Sequence, residues 1–251
     1  MAYISGFHAI EEFIKSGNLC GPLLVAKPGP RARELVDLAL ERKIRVNRVG
    51  TADLDKLDGD HRGIILEIND SSDSVNPATL EAFIAGLENR KNVLVLLLDE
   101  ITDPHNYGAI LRSCDQFNVD LVISRRRRSA KNAPIIAQTS AGASAWVNCV
   151  EEGNLARAVE LLKENNFWVY GADMDGQSVY KLDLSGRIAL ILGGEAGLSR
   201  LLRERCDGIA AIPTGGCIDS LNVSVAAGIL LYEVSRQNSA GKKTKTGKSD
   251  V

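Results

Sequence analysis

Hydrophobic and polar positions divide the 251-residue chain into short elements of alternating kind. Near the start, GFHAIEEFIKSG places Phe7, Ile10, Phe13 and Ile14 on one side of a helix that Gly17 would stop. LLVAK (23–27) then reads as a strand, RARELVDLALERK (31–43) as a second amphipathic helix, and IRVNRV (44–49) as a strand. A short helix capped by Thr51 follows, and GIILEI (63–68) is the closing strand. This alternation predicts a small mixed or parallel sheet covered by helices over residues 1–69, with no candidate chemistry in it. Residues 70–78 belong to a polar, turn-forming run with one proline and are expected to be a linker.

A helix is expected over 78–88, and KNVLVLLLDE (91–100) then supplies an apolar run without alternation, the pattern of a strand buried on both faces. Further strands are expected at 119–123, 145–150, 167–171, 187–192 and 208–212, separated by helical patterns. Residues 79–238 therefore predict a mostly parallel α/β domain, with ligands at the carboxyl ends of its strands. Trp146 and Trp168 fall in apolar strand segments and are expected in the core. After Ser220, a good N-cap, comes a helix whose Val225, Ala226, Ala227, Gly228 and Ile229 predict deep burial. The tail 239–251 is rich in lysine, has no core-forming residues and is expected to be disordered.

Composition changes this picture little. With 45% hydrophobic and 25% charged residues the chain is an ordinary soluble globular protein, long enough for two domains. No apolar stretch reaches a membrane-spanning length and the N-terminus lacks a signal-peptide pattern, so a cytoplasmic protein is expected. The net charge of −2 leaves any nucleic-acid surface to local charge. Arg125, Arg126, Arg127 and Arg128, with Lys131, offer such a surface just past the strand ending at Ile123. The five cysteines are scattered, with no CxxC pair and no Cys/His cluster, so reduced thiols are expected and no metal site. His8, His61 and His105 read as structural or surface residues.

Candidate chemistry sits at three strand ends. In LDEITDPHNYGAILRSCD (98–115) a loop carries Asn106, expected at a helix N-cap, and Arg112 lies within the first two turns beyond. In LILGGEAGLSR (190–200) a strand runs into glycines and Glu195; a dinucleotide fingerprint begun at Gly193 would need glycine where Glu195 stands. In IPTGGCIDSLNVSVAAG (212–228) a glycine turn leads to Ser220 and Asn222, polar groups at the mouth of an apolar helix. Singly, each also fits an ordinary capped loop.

Together, in this order, they resemble the three motifs of the SpoU branch of the SPOUT RNA methyltransferases. The matching residues are Asn106-Tyr107-Gly108-Ala109-Ile110-Leu111-Arg112, Gly193-Gly194-Glu195-Ala196, and Ile212-Pro213-Thr214 followed by Ser220-Leu221-Asn222-Val223-Ser224-Val225-Ala226. Ser140-Ala141-Gly142-Ala143 fits as well, and the likeness covers about residues 90–237. GFHAIEE and HRGI (61–64) resemble the substrate-binding domain of the ribosomal-RNA members. The resemblance implies a SPOUT-type α/β domain closed by a C-terminal trefoil knot, behind a small α/β substrate-binding domain. It implies S-adenosylmethionine as methyl donor, held at Gly193, Ile212 and Leu221, without a metal. The implied reaction is methylation of a ribose 2′-hydroxyl in RNA, most specifically a guanosine of 23S ribosomal RNA. Asn106, Arg112, Glu195, Ser220 and Asn222 are the implied catalytic set, in a homodimer whose Arg112 serves the partner's donor. A transfer RNA substrate, or a non-catalytic RNA-binding assembly factor on the same fold, are the alternatives. The second motif, usually G-x-E-G-x-G-L, is one residue shorter here and lacks a glycine, so its turn is expected to be tighter or differently shaped. Thr214 stands in place of the usual Met, and Cys217 where small polar residues are common.

Overall fold

The computed structural model describes residues 2–16, 20–59, 61–68, 79–88, 90–125, 132–216 and 220–239. The linker, the basic run from Arg126 to Lys131, Cys217 and the tail beyond Ser239 lie outside them.

The N-terminal unit runs β1 (Ala2–Ser5), α1 (Phe7–Ser16), β2 (Leu23–Val25), α2 (Pro30–Glu41), β3 (Val46–Arg48), α3 (Thr51–Asp55) and β4 (Ile64–Ile68). Its sheet is mixed, in the order β1-β4-β2-β3: β4 runs antiparallel to both β1 and β2, and β2 pairs in parallel with β3. Strand β1 escaped the hydrophobic pattern because it is four residues long and pairs with a segment some sixty residues away. The predicted apolar face of α1 is buried, with Ile10, Phe13 and Ile14 packed among Ala32, Leu35 and Ala39 of α2. The cap of α3 is Gly50 rather than Thr51, and the Asp53 carboxylate accepts from the Gly50 N–H at 3.3 Å. His61 is structural as expected: Nδ1 accepts from the Gly63 N–H at 2.8 Å, and Nε2 lies 3.0 Å from Asp55 Oδ1.

The larger unit runs α4 (Leu80–Ala85), β5 (Val93–Asp99), α5 (Pro104–Gln116), β6 (Leu121–Arg125), α6 (Ala133–Thr139), β7 (Cys149–Glu152) and α7 (Leu155–Glu164). It continues with β8 (Trp168–Ser178), β9 (Arg187–Gly193), α8 (Arg200–Arg205), β10 (Gly208–Ala211) and α9 (Val223–Ser239). All strand pairs are parallel, in the order β10-β8-β9-β5-β6-β7. Every residue of β5 is buried. Its alternate side chains serve two cores: Leu94, Leu96 and Leu98 face α5 and α9, while Val93, Val95 and Leu97 face α4, α7 and α8. This is the parallel sheet, covered on both faces, that the unbroken apolar run predicts.

Several sequence expectations change. Residues 143–145 form a 3-10 turn, and the strand expected at 145–150 begins at Cys149. Gly142, at φ +91°, turns the chain there, so an apolar run that looks like a strand is spent on the turn. Strand β8 runs to Ser178, and β10 pairs along both its halves with a register shift between Ile209 and Ala210. Trp168, expected in the core, is 60% exposed at the start of β8, because the alternating positions Val169 and Gly171 take the inward side. The cysteines Cys20, Cys114, Cys149 and Cys206 are free thiols, and burial pushes the Cys149 thiol up to about 12.

Trp146 is half-buried where the two sheets meet. Its ring lies 6.2 Å from that of Phe13 of α1, and its Nε1 donates to Asp115 Oδ1 at 2.7 Å. A Cβ on Gly142 would stand 2.9 Å from the Ala9 Cβ, so this glycine lets α1 approach. Trp146→Ala is expected to cost about 2 kcal/mol, below the ~3–5 kcal/mol of a fully buried aromatic. Urea unfolding would show that loss, and limited proteolysis would release the N-terminal unit faster from the variant.

Candidate active site at the carboxyl ends of the central strands

Strands β5 and β9 end side by side, with Asp99 opposite Gly193. The Gly194 N–H donates to the Asp99 carbonyl at 2.9 Å, and the Gly197 N–H returns to the Gly194 carbonyl at 2.9 Å. That second bond closes a tight turn with Glu195 and Ala196 at its exposed tip and Gly197 at φ +74°. A Cβ on Gly193 would lie 2.2 Å from the Gly197 carbonyl carbon and oxygen. The shortened second motif is thus a four-residue turn folded hard against its own first glycine.

Helix α5 opens with Asp103 as N-cap, not Asn106: the Asp103 carboxylate accepts from the His105 N–H at 3.3 Å and the Asn106 N–H at 3.0 Å, with Pro104 in the first helical position. The Asn106 side chain is therefore free to face α9, where its Oδ1 accepts from Asn222 Nδ2 at 3.0 Å. Asn222, rather than Ser220, caps α9; its Oδ1 accepts from the Ser224 N–H at 2.8 Å and from Ser224 Oγ at 2.6 Å. One asparagine thus caps one helix and ties it to the mouth of another, 116 residues apart in sequence. Asn222→Ala removes all three bonds and is expected to lower stability by about 1–2 kcal/mol, measured by urea unfolding.

Between these elements lies a cleft of about 660 Å³, a size at which small-molecule sites are common. Asn106, Gly193, Glu195, Ile212, Ser220, Leu221 and Asn222 all line it, which brings together every predicted site residue but one. The exception is Arg112, which is exposed and lies on the third turn of α5, further in than the sequence placed it. Six residues separate it from Asn106, which on an α-helix is about 9 Å along the axis and about 120° around it. The two side chains leave the helix in different directions, and only Asn106 lines the cleft.

Sequence inspection missed the opposite wall, made by Ala172, Asp173, Met174 and Asp175 of β8. Asp173 is ion-paired with Arg203, while Met174 is 58% exposed. The polar break DMDG inside an otherwise apolar strand was the available signal. Arg125, grouped by sequence with the basic run, instead turns inward to the buried Asp99, its Nη2 3.0 Å from Oδ1.

The helix α9 is not buried all round. Ala227, Leu230, Leu231 and Val234 face the core, but Val225 (49% exposed), Ile229 (37%) and Tyr232 (56%) form an open apolar stripe continuous with Leu221. Tyr232 stands beside Phe117, the C-cap residue of α5, ring centroids 6.1 Å apart. Among the described residues no helix is long and apolar enough to cross a membrane.

A parallel sheet whose strand ends hold a glycine-cornered cleft between two helix N-termini defines an α/β domain built to bind a nucleotide-like ligand. The SpoU rRNA Methylase family matches residues 93–232, and the RNA 2′-O ribose methyltransferase substrate-binding family matches residues 3–74. The chain belongs to the SpoU rRNA methylase family. It is 40% identical over 242 residues to the 23S rRNA (guanosine-2′-O-)-methyltransferase RlmB of Xanthomonas campestris, covering 94% of this chain and 96% of that protein. It is 41% identical over 218 residues to an uncharacterized tRNA/rRNA methyltransferase of Borreliella burgdorferi, covering 84% and 96%. The fold superposes on the SpoU methyltransferase AviRb of Streptomyces viridochromogenes, solved in complex with AdoMet, with a TM-score of 0.74 at 24% identity over 94% of this chain and 89% of that one.

Proposed function

We propose that the chain is an S-adenosylmethionine-dependent RNA 2′-O-methyltransferase whose substrate is a guanosine ribose of 23S ribosomal RNA. The observation that carries this is the convergence of three separate strand-end motifs on one cleft, locked by the Asn106–Asn222 hydrogen bond. The substrate class rests on relatives named as 23S rRNA guanosine-2′-O-methyltransferases over nearly their whole length and on the substrate-binding family at residues 3–74. Transfer RNA is the second possibility, favoured by the relative named as a tRNA/rRNA methyltransferase. An rRNA-modifying role supports a cytoplasmic location.

The cleft suits the donor in size, and Gly193 and Gly194 let the backbone of the turn that lines it close where a Cβ would strike. Gly193, Ile212 and Leu221 would hold it. When bound, S-adenosylmethionine supplies an electrophilic methyl on a sulfonium, with a neutral thioether as leaving group. The harder partner is the ribose hydroxyl, which is almost wholly protonated at neutral pH. Asn106 and Asn222, fixed by each other, orient that ribose from the helix mouths, with Ser220 and Glu195 at the rim. The Arg112 guanidinium holds the adjoining phosphate and stabilises the developing alkoxide, while the hydroxyl proton passes to solvent water.

Because Arg112 faces away from the cleft of its own chain, we place it in the cleft of a partner, across a homodimer joined at the apolar stripe of α9. The domain bounds 1–69 and 79–238, and a knot formed by the segments around 193–197 and 212–222, complete the proposal. Arg126, Arg127, Arg128 and Lys131, which lie outside the described residues, follow Arg125 in sequence and are assigned to phosphate contacts on their charge. The test is methyl incorporation into ribosomal RNA from labelled donor, followed by mapping of 2′-O-methylated guanosine. Donor binding without transfer, on folded protein with protein-free and assembled rRNA substrates, would leave the non-catalytic alternative standing.

A further inference from the structure

The glycine turn is fixed from behind by a residue that touches neither the cleft nor solvent. Asp99, the last residue of β5, is 1% exposed, and neither it nor Arg125 lines the cleft. Its backbone carbonyl accepts from the Gly194 N–H at 2.9 Å, and its Oδ2 accepts from the Ser199 N–H at 3.3 Å. One residue therefore grips the turn at both ends. Its Oδ1 lies 3.0 Å from Arg125 Nη2, and Nη1 of the same guanidinium lies 3.7 Å from Glu100 Oε1. Apolar residues would serve bare stability here at least as well as a buried ion pair. What the pair adds is placement: the guanidinium beside Oδ1 keeps the carboxylate where its Oδ2 meets one backbone N–H of the turn.

We infer that Asp99, held by Arg125, is a positioning residue that sets the Gly193–Ser199 turn in the shape the methyl donor requires. This rests on the proposed activity, because it assigns the turn to the donor. It also takes Arg125 out of the RNA surface, where its neighbours in sequence would put it. Across itself the turn carries the Gly197-to-Gly194 backbone bond, and its outer half, through Ser199, is held from outside by Asp99.

The test uses the full chain with Asp99→Asn, Arg125→Met and the double variant. S-adenosylmethionine binding is measured by calorimetry, RNA binding across a salt series, and turnover at saturating donor. Each single variant is expected to weaken donor affinity by about tenfold, the scale of one hydrogen bond to a charged group. The double variant should be no worse than the weaker single, since the two act as a unit. Turnover at saturating donor should stay within about twofold of the parent, and Arg125→Lys should recover most of the affinity. The salt dependence of RNA binding should be unchanged in Arg125→Met. A salt slope smaller by about one, with donor affinity intact, would make Arg125 a phosphate contact and overturn the inference. Unchanged donor affinity in folded variants, with only a lowered melting temperature, would overturn it too. Should Asp99→Asn fail to fold, Arg125→Met carries the test, its side chain being 28% exposed. A parent chain that binds no donor would overturn the proposed activity, and this inference with it.

Discussion

Arg112→Ala is expected to lower kcat by about 10²–10³-fold or more, the cost of removing one group that stabilises charge in a transition state. Donor affinity should change by less than about twofold, because the contacts assigned to Arg112 are with the RNA phosphate and the developing alkoxide, not with the donor. Stability should move by no more than about 0.5 kcal/mol, as for other exposed positions. Single-turnover rates, donor calorimetry and thermal unfolding on one preparation separate the three. Arg112→Lys should restore little, because an ammonium cannot reproduce the planar, two-pronged contact of a guanidinium with phosphate. Near-normal turnover in either variant would remove Arg112 from the chemistry.

The location of Arg112 marks the boundary of what the sequence could give. The sheet was legible because β5 and β9 are unbroken apolar runs, and such runs have one stable home, the middle of a covered parallel sheet. The three motifs were legible because each sits at a strand end, where a parallel sheet opens. Less legible was which polar residue caps which helix. Asp103 and Asn106, and likewise Ser220 and Asn222, are all competent caps, and only the course of the chain through the loop decides between them. Trp168 and the stripe from Val225 to Tyr232 failed for another reason. Apolar character predicts burial, and these residues are covered only if another surface covers them. The helical period of α5 held a signal that the sequence reading left unused: six residues set Asn106 and Arg112 about 120° apart around the helix.

Gly193→Ala should abolish donor binding, weakening it by about a hundredfold or more, because the new methyl would sit 2.2 Å from the Gly197 carbonyl. The obstacle is backbone, so no side-chain rotation relieves it, and the turn must open. Stability should fall by only about 1–3 kcal/mol, the usual cost of overpacking. Gly153→Ala, whose Cβ would meet nothing within 4 Å, controls for the loss of a glycine as such. The variant gains most when combined with Arg112→Ala. Each alone is inactive, but for different reasons: one chain lacks the guanidinium, the other the donor cleft. If Arg112 acts across a dimer, a mixed dimer holds one intact site, built from the cleft of the Arg112→Ala chain and the guanidinium of the Gly193→Ala chain. Unfolding and refolding the two together in equal amounts should then recover about a quarter of the parent activity: half the dimers are mixed, each with one working site of two. If Arg112 acts within its own chain, every site lacks either the guanidinium or the cleft, and no mixture recovers anything. The size of that recovery therefore decides how a residue outside the cleft takes part in it.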